Sequence, residues 1–449
     1  MKKICFGLVV IIALSLVLSS CEIVGQIFEP KSGIELWERV SNKMASLDSY
    51  VCDVNATISL SVNDIEFDGS ITGETVIVGL QKGELFVYEY ANSEISSVEA
   101  DFSQTTSSVI GYDGGNIYLY NKQNKESKKL FSSITKEEFI TYYFDNSSID
   151  ISPDNCENLD FSKNDDGSYE LRYSGFRESD INEITGRIGF DSFSLGVVIT
   201  DIRVSVFIDK EYRVNEMKVD FLIETGEKPL SMNITYSAFN SAKKRVFDKD
   251  EYIKVDDVRI INHISRELNE ALLYRTGIFT LDVSHKLKDK KGVLVDKYEE
   301  RDTISYRIKD GKYTYKISAI TSDQNIEIEY ADGTQKTYVK GNYKGSTTQT
   351  ETEARAYIAA LMNSAGYSPI YVYDVKCTSD NVYKLYCKVN DTSSYRSIMS
   401  SVGDIYLDYT ICFTATLDDD GDLDKLECEL IIRGSRYDYT VYTIVDITD

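Results

Sequence analysis

The chain writes one hydrophobic pattern twice, and that duplication limits its fold more than any other feature. Ile202, Val204, Val206 and Ile208 align without a gap on Ile411, Phe413, Ala415 and Leu417, 209 positions later. Beyond the turn, Met217, Val219, Phe221 and Ile223 meet Leu426, Cys428, Leu430 and Ile432 at the same offset. An apolar residue at every second position predicts a strand with one buried and one wet face. Two such strands in tandem predict an antiparallel hairpin, once in each copy. A period this long is read as two repeated structural units before any fold is assigned.

The repeat extends back toward each copy's start. Leu36, Val40, Met44 and Leu47 recur at helical spacing, and Ile264, Leu268 and Leu272 repeat the first three 228 positions later. Each predicted helix leads into alternation, through Cys52, Val54 and Ala56 in one copy and Phe279, Leu281 and Val283 in the other. The blocks Thr75–Gly83 and Thr303–Gly311 then align, ending in the turn pairs Lys82-Gly83 and Asp310-Gly311. A second helix is expected over Thr135–Phe144 and over Thr350–Asn363. Thr135 with Glu138, and Thr350 with Glu353, have the spacing of capping boxes. The expected class is therefore α+β, mainly antiparallel β, with two tandem curved sheets that each carry about two covering helices. Repeat 1 takes residues 34–240 and repeat 2 residues 260–449, joined by a polar linker at 241–259. With only 4 prolines and with 33 tyrosines, the composition suits pleated, half-buried surfaces and not a disordered stalk.

The N-terminus carries a different signal. Met1-Lys2-Lys3 precedes an apolar run from Ile4 to Leu18, followed by Ser19-Ser20-Cys21. A basic start, an apolar centre and small residues before a cleavage point predict a signal peptide over 1–20. The run is shorter than the roughly 20 apolar residues a spanning helix needs. Cys21, directly after those small residues, resembles the cysteine of a bacterial lipobox, which receives diacylglycerol after cleavage. The expectation is a lipid anchor at Cys21, a tether over 21–33, and a position on the extracytoplasmic face of the cell membrane. A plain secretory signal is the competing reading.

The net charge of −24 excludes a nucleic-acid partner, which needs a basic face that no Lys/Arg cluster here supplies. It also disfavours lying flat on anionic lipid. Beyond Cys21 six cysteines remain, without CxxC or zinc-like spacing. Cys377 and Cys387, in one register of a short hairpin, are the disulfide candidate, set against free thiols at both. His263 and His285 lack any paired spacing for a metal. The turn Asp418-Asp419-Asp420-Gly421-Asp422-Leu423-Asp424 offers alternate carboxylates for calcium. Its glycine is out of place for an EF-hand, however, and the counterpart Asp209-Lys210-Glu211-Tyr212 has no such donor set, so the turn reads as a hairpin tip. No G-x-S-x-G elbow, P-loop or dinucleotide fingerprint occurs. No catalytic residue, metal or cofactor is expected. The enzymatic alternative is a hydrolase of envelope or glycan substrates with two opposed carboxylates. Against it stands a single tryptophan, Trp37, beside the first helix's apolar stripe.

An exported lipoprotein whose helix leads into a long antiparallel meander with a second helix midway resembles the LolA/LolB-like half-barrel superfamily. Tandem-domain exported lipoproteins of Gram-positive bacteria are similar in layout. The resemblance implies a curved sheet whose concave face, covered by helices, holds acyl chains or other lipophilic ligands. Val204, Val206, Phe413 and Ala415 are then the expected lining positions. The function expected is a surface-anchored, non-enzymatic protein that binds a lipophilic or cell-envelope ligand. The alternative is a structural or sensory lipoprotein with filled cores that contacts a protein partner.

Overall fold

The structure, a computed structural model, describes residues 29–62, 65–99, 101–124, 126–147, 151–177, 180–181, 184, 199–223, 230–273, 277–309, 312–321, 324–351, 353–354, 357–358 and 367–448. Contacts divide the chain into two compact units, Met1–Tyr252 and Ile253–Asp449. The leader, Cys21 and most of the tether lie outside the described residues.

Each unit is built around one antiparallel sheet. In the first unit the strands run side by side in the order Glu126–Ser133, Asn116–Gln123, Phe102–Asp113, Phe86–Ser97, Ile65–Val78, Ser49–Val62, Leu230–Ser237, Val214–Ile223, Ile199–Ile208, Tyr169–Phe176 and Cys156–Lys163. In the second the order is Asn342–Thr348, Thr334–Val339, Asn325–Ala331, Lys312–Thr321, Leu294–Lys309, Gly277–Asp289, Tyr437–Thr448, Leu423–Gly434, Tyr406–Leu417, Val382–Cys387 and Val372–Ser379. The topology is the same in both. Six strands, the first included, meander outward, a helical stretch intervenes, and five strands meander back. The last strand of each unit pairs with its first, as Val51 with Ser237 and Ile278 with Thr448.

The expected α+β class is corrected by this architecture. Strands make up 61% of the chain and helices 16%, so the protein is mainly β and is not a helix-covered half-barrel. Among the described residues the continuous α-helices are α1 (Gly33–Ala45), α2 (Lys136–Ser147), α3 (Arg259–Leu273) and α4 (Ser393–Ser401). The cause is length. Strands of 12 residues, such as Phe86–Ser97 and Leu423–Gly434, are paired on both sides and satisfy their backbone groups across the sheet. The helices start where their N-terminal caps place them. The Ser32 hydroxyl caps α1 by accepting from the Glu35 amide at 3.1 Å. Thr135 and Glu138 cap α2 reciprocally, and Thr350 and Glu353 form the same box.

The core of each unit lies on one face of its sheet. Leu36, Trp37, Val40 and Met44 of α1 are buried there, and Trp37 meets the Tyr173 ring edge-on at 6.2 Å. On the opposite face of the first sheet, Tyr88, Gly111 and Tyr118 lie side by side on neighbouring strands. Phe247, from the segment after the last strand, stacks on Tyr118 at 4.4 Å between ring centroids. Gly111 makes room for it, because a Cβ there would come within 2.1 Å of Phe247 Cζ. Residues expected to form a plain polar linker are thus held against the first sheet by an aromatic contact.

Candidate functional site

The four expected lining residues lie at matched positions of two separate units. Val204 pairs with Val219 and Val206 with Met217; Phe413 pairs with Cys428 and Ala415 with Leu426. All four are buried, at 1, 0, 3 and 0% exposure. In the second unit Tyr367 meets the Phe413 ring edge-on at 5.2 Å, and its hydroxyl donates to the Ile261 carbonyl of α3 at 2.7 Å. These positions therefore belong to the packed inner face of each unit.

The structure does not bring Cys377 and Cys387 together. Cys377 lies opposite Tyr383, and Cys387 opposite Val372. That puts them about four strand residues apart, on the order of 13 Å along the hairpin, beyond the roughly 7 Å Cα separation a disulfide spans. Both are free thiols. The acidic turn at Asp418 spends its first carboxylate on its own backbone, with Oδ1 accepting from the Asp420 and Asp422 amides at 2.9 Å. His263 Nε2 sits 2.7 Å from the Gly421 carbonyl oxygen of that turn. Among the described residues no group of three His, Cys, Asp or Glu side chains is placed to hold a metal ion.

One feature of the inner face lay outside the sequence reading. Tyr236, Cys52, Thr75 and Glu89 stand directly opposite one another on four adjacent strands, forming a single rung across the first sheet. Residues opposed in this way share a face, and all four are buried. The Tyr236 and Cys52 side chains are hydrogen-bonded. Tyr143 of α2 reaches down from above, and its hydroxyl donates to Glu89 Oε2 at 2.7 Å. Phe139, one turn earlier on α2, stacks between Tyr112 at 4.6 Å and Tyr143 at 5.3 Å. Thr75 Oγ1 is buried without a hydrogen-bond partner.

Burial governs the protonation of this rung. It pushes the Glu89 carboxyl up to about 8, against the opposing pull of the Tyr143 hydrogen bond. Burial likewise raises the Cys52 thiol, helped by the neighbouring Asp53 and Glu89 carboxyls, and raises the Tyr143 and Tyr236 phenols. At neutral pH the rung is mostly uncharged, and the Glu89 acid presents an O–H donor as well as acceptors.

The duplicated topology supplies an internal control. The matching rung of the second unit runs Ile447, Phe279, Ile304, Ile317 and Ile328. It is apolar throughout. A buried hydroxyl without a partner costs about 1–3 kcal/mol, and the second unit shows that the same scaffold is built without it. The signal was present in the sequence, because Glu89 falls in phase with the inward Val87, Ala91 and Ser93. It was obscured by pairing Thr75 with Thr303. The register places Thr75 instead in the position of Ile304, one residue along.

Comparison with known proteins gives no family. No family model matches the sequence, and no curated relative matches it. Solved structures align along most of the chain at very low similarity. A porin-like protein from Bacteroides uniformis is 9% identical, with 89% of this chain and 96% of that one covered, at a TM-score of 0.12. OprD of Pseudomonas aeruginosa is 8% identical, with 89% and 95% covered, at 0.14. The β domain of the Bordetella autotransporter BrkA is 5% identical, with 89% and 99% covered, at 0.12. TM-scores this low assign this chain neither a shared fold nor a role. None of these is a LolA/LolB-like protein, and with the mainly β architecture the expected kinship to that superfamily is corrected. The LolA-like and half-barrel descriptions fall with it.

Proposed function

We propose that the chain is a non-enzymatic binding protein, anchored through lipid on Cys21 at the extracytoplasmic face of the membrane. Its ligand is a lipophilic or envelope-derived molecule with an uncharged hydrogen-bonding end. The observation that carries this reading is the buried Tyr236–Cys52–Thr75–Glu89 rung. It places neutral donors and acceptors, one of them without a partner, inside an otherwise aliphatic face, at a position where the second unit is apolar. Binding sites for apolar molecules have this composition: mostly hydrophobic walls with a few fixed polar groups.

Native mass spectrometry of the purified protein, searching for co-purified lipid, tests the reading directly. Glu89→Leu should abolish binding of a lipophilic probe that the parent binds. Ala415→Trp serves the second unit in the same way. Replacing Cys21 with alanine should leave the protein unprocessed or let a wash in 0.5 M salt, which weakens electrostatic contacts, release it from the membrane fraction; a cleaved Cys21→Ala protein that withstands the wash would refute the anchor.

A second reading is favoured by the complete burial of Val204, Val206, Phe413 and Ala415. In it both inner faces are filled cores and the protein acts by contacting a partner protein. Ala415→Trp then costs about 1–3 kcal/mol through overpacking, and the parent has no probe binding to lose.

A further inference from the structure

Strands Gly277–Asp289 and Leu294–Lys309 form a hairpin whose turn is locked by Asp289. Its Oδ1 accepts from the Lys291 and Val293 amides at 2.9 Å, and its own amide donates to the Val293 carbonyl at 2.9 Å. The tip is exposed without interruption from Lys290 to Glu299. Val293, Leu294 and Val295 are consecutive and 59, 50 and 53% exposed, and Tyr298 is 44% exposed. The neighbouring strand Lys312–Thr321 ends with Thr321 opposite Glu300. Among the described residues, Leu294–Glu299 therefore runs on with no strand on that side, an overhang of about 20 Å at the usual rise per residue.

Charge at this tip departs from the rest of the chain. The protein carries −24, yet Lys286, Lys288, Lys290 and Lys291 crowd the turn against two carboxylates: Asp289, spent on the turn amides, and the exposed Asp296 after the apolar trio, whose Oδ1 accepts from the Lys297 amide at 2.8 Å. Lys290 is paired with Asp438 at 2.5 Å, and Lys297, beyond the apolar trio, with Glu299 at 2.5 Å. Among the described residues, Lys286, Lys288 and Lys291 have no ion pair. Three aliphatic side chains at a projecting end, with unpaired ammonium groups beside them, form an amphipathic wedge. A wedge of this kind suits a surface that admits aliphatic side chains and presents phosphate next to them.

We propose that this hairpin tip docks on an anionic lipid bilayer, with Val293, Leu294 and Val295 entering the acyl boundary and Lys288 and Lys291 against lipid phosphates. The contact does not require the Cys21 lipid. It gives the second unit its own reversible hold on the membrane. The remote acidic surface opposes it little at physiological salt, where screening acts over about 8 Å.

The test uses residues 21–449 without lipid, which contain both folded units, in co-sedimentation with vesicles. Binding is expected to phosphatidylglycerol vesicles and should exceed binding to pure phosphatidylcholine. It should weaken severalfold between 0.1 and 0.5 M salt, as polybasic contacts do. Leu294→Asp should lower it about tenfold or more, the order expected for a charge placed at an inserted position. Lys288→Glu with Lys291→Glu should lower it while leaving the melting temperature unchanged. The proposal is overturned by failure to sediment with phosphatidylglycerol, by equal binding to both lipids, or by binding that neither variant alters. A concentration-dependent dimer abolished by Leu294→Asp would also overturn it, making a second copy of the chain the occupant.

Discussion

Replacing Glu89 with glutamine should remove a specific pH dependence from the protein's stability. The Glu89 carboxyl is raised to about 8 in the folded protein by burial, and in the unfolded chain it returns to its ordinary 4.5. A carboxyl raised by folding stabilises the native state fully below the unfolded value, and that contribution is lost as pH climbs to the folded one. Across that window the unfolded chain gains about 1.4 kcal/mol per pH unit, because it alone is ionised. Between pH 5 and pH 8 the loss amounts to about 4 kcal/mol, large against a typical 5–15 kcal/mol stability. Glutamine keeps the shape and an acceptor for the Tyr143 hydroxyl but cannot ionise. Urea unfolding of parent and variant at half-unit pH steps reads the difference. The two should be within about 1 kcal/mol of each other at pH 5 and separate steadily, with Glu89→Gln the more stable at pH 8. Curves that stay parallel from pH 5 to 8 would refute the reasoning, for Glu89 would then be ionised or hydrated in the native state.

Asp404 predicts the opposite sign. Burial opposes its charge, but the Ser435 hydroxyl and the Arg436, Tyr437 and Ile405 amides donate to it and hold its carboxyl well below the usual range. Its contribution is therefore present above about pH 4 and lost as pH falls, and Asp404→Ala should cost about 3 kcal/mol at pH 7 by chemical unfolding. Phe247→Ala should remove the stack on Tyr118 and speed proteolysis within 241–252; a cleavage rate equal to the parent's would show that Phe247 does not hold the segment. Residues 253–449 produced alone should unfold cooperatively, since their sheet is complete in itself, and a molten fragment would show that the two units depend on one another.

Much of the local structure was legible in the sequence. The closing hairpins keep their register at an offset of 209, with Val204 opposite Val219 and Phe413 opposite Cys428, because period-two alternation with one buried face fixes register. Both capping boxes form where Thr135–Glu138 and Thr350–Glu353 placed them. The balance of helix to sheet is not legible in the same way, since helical spacing over three or four residues marks that a helix exists but not how little of the chain it takes. The Cys377–Cys387 pair shared a face in the sequence but not a rung in the structure, a distinction that alternation alone does not make. The polar rung was hidden for a related reason. Glu89, Thr75, Cys52 and Tyr236 come from four strands, and their neighbourhood appears only once strand order and register are both known.

The pairing of the last strand with the first has a kinetic consequence. The central strand Ser49–Val62 has one edge waiting until Leu230–Ser237 has emerged, and Gly277–Asp289 waits in the same way for Tyr437–Thr448. Contacts this distant in sequence bring high contact order and slow folding. Until closure, the central strand of each unit presents an open, half-satisfied edge of the kind that templates aggregation. Each unit therefore resists settling during vectorial synthesis and stays unclosed until its final residues arrive. For the exported protein proposed above, that delay would suit passage through a membrane unfolded. It also makes a truncation at either C-terminal strand far more damaging than the few residues removed would suggest.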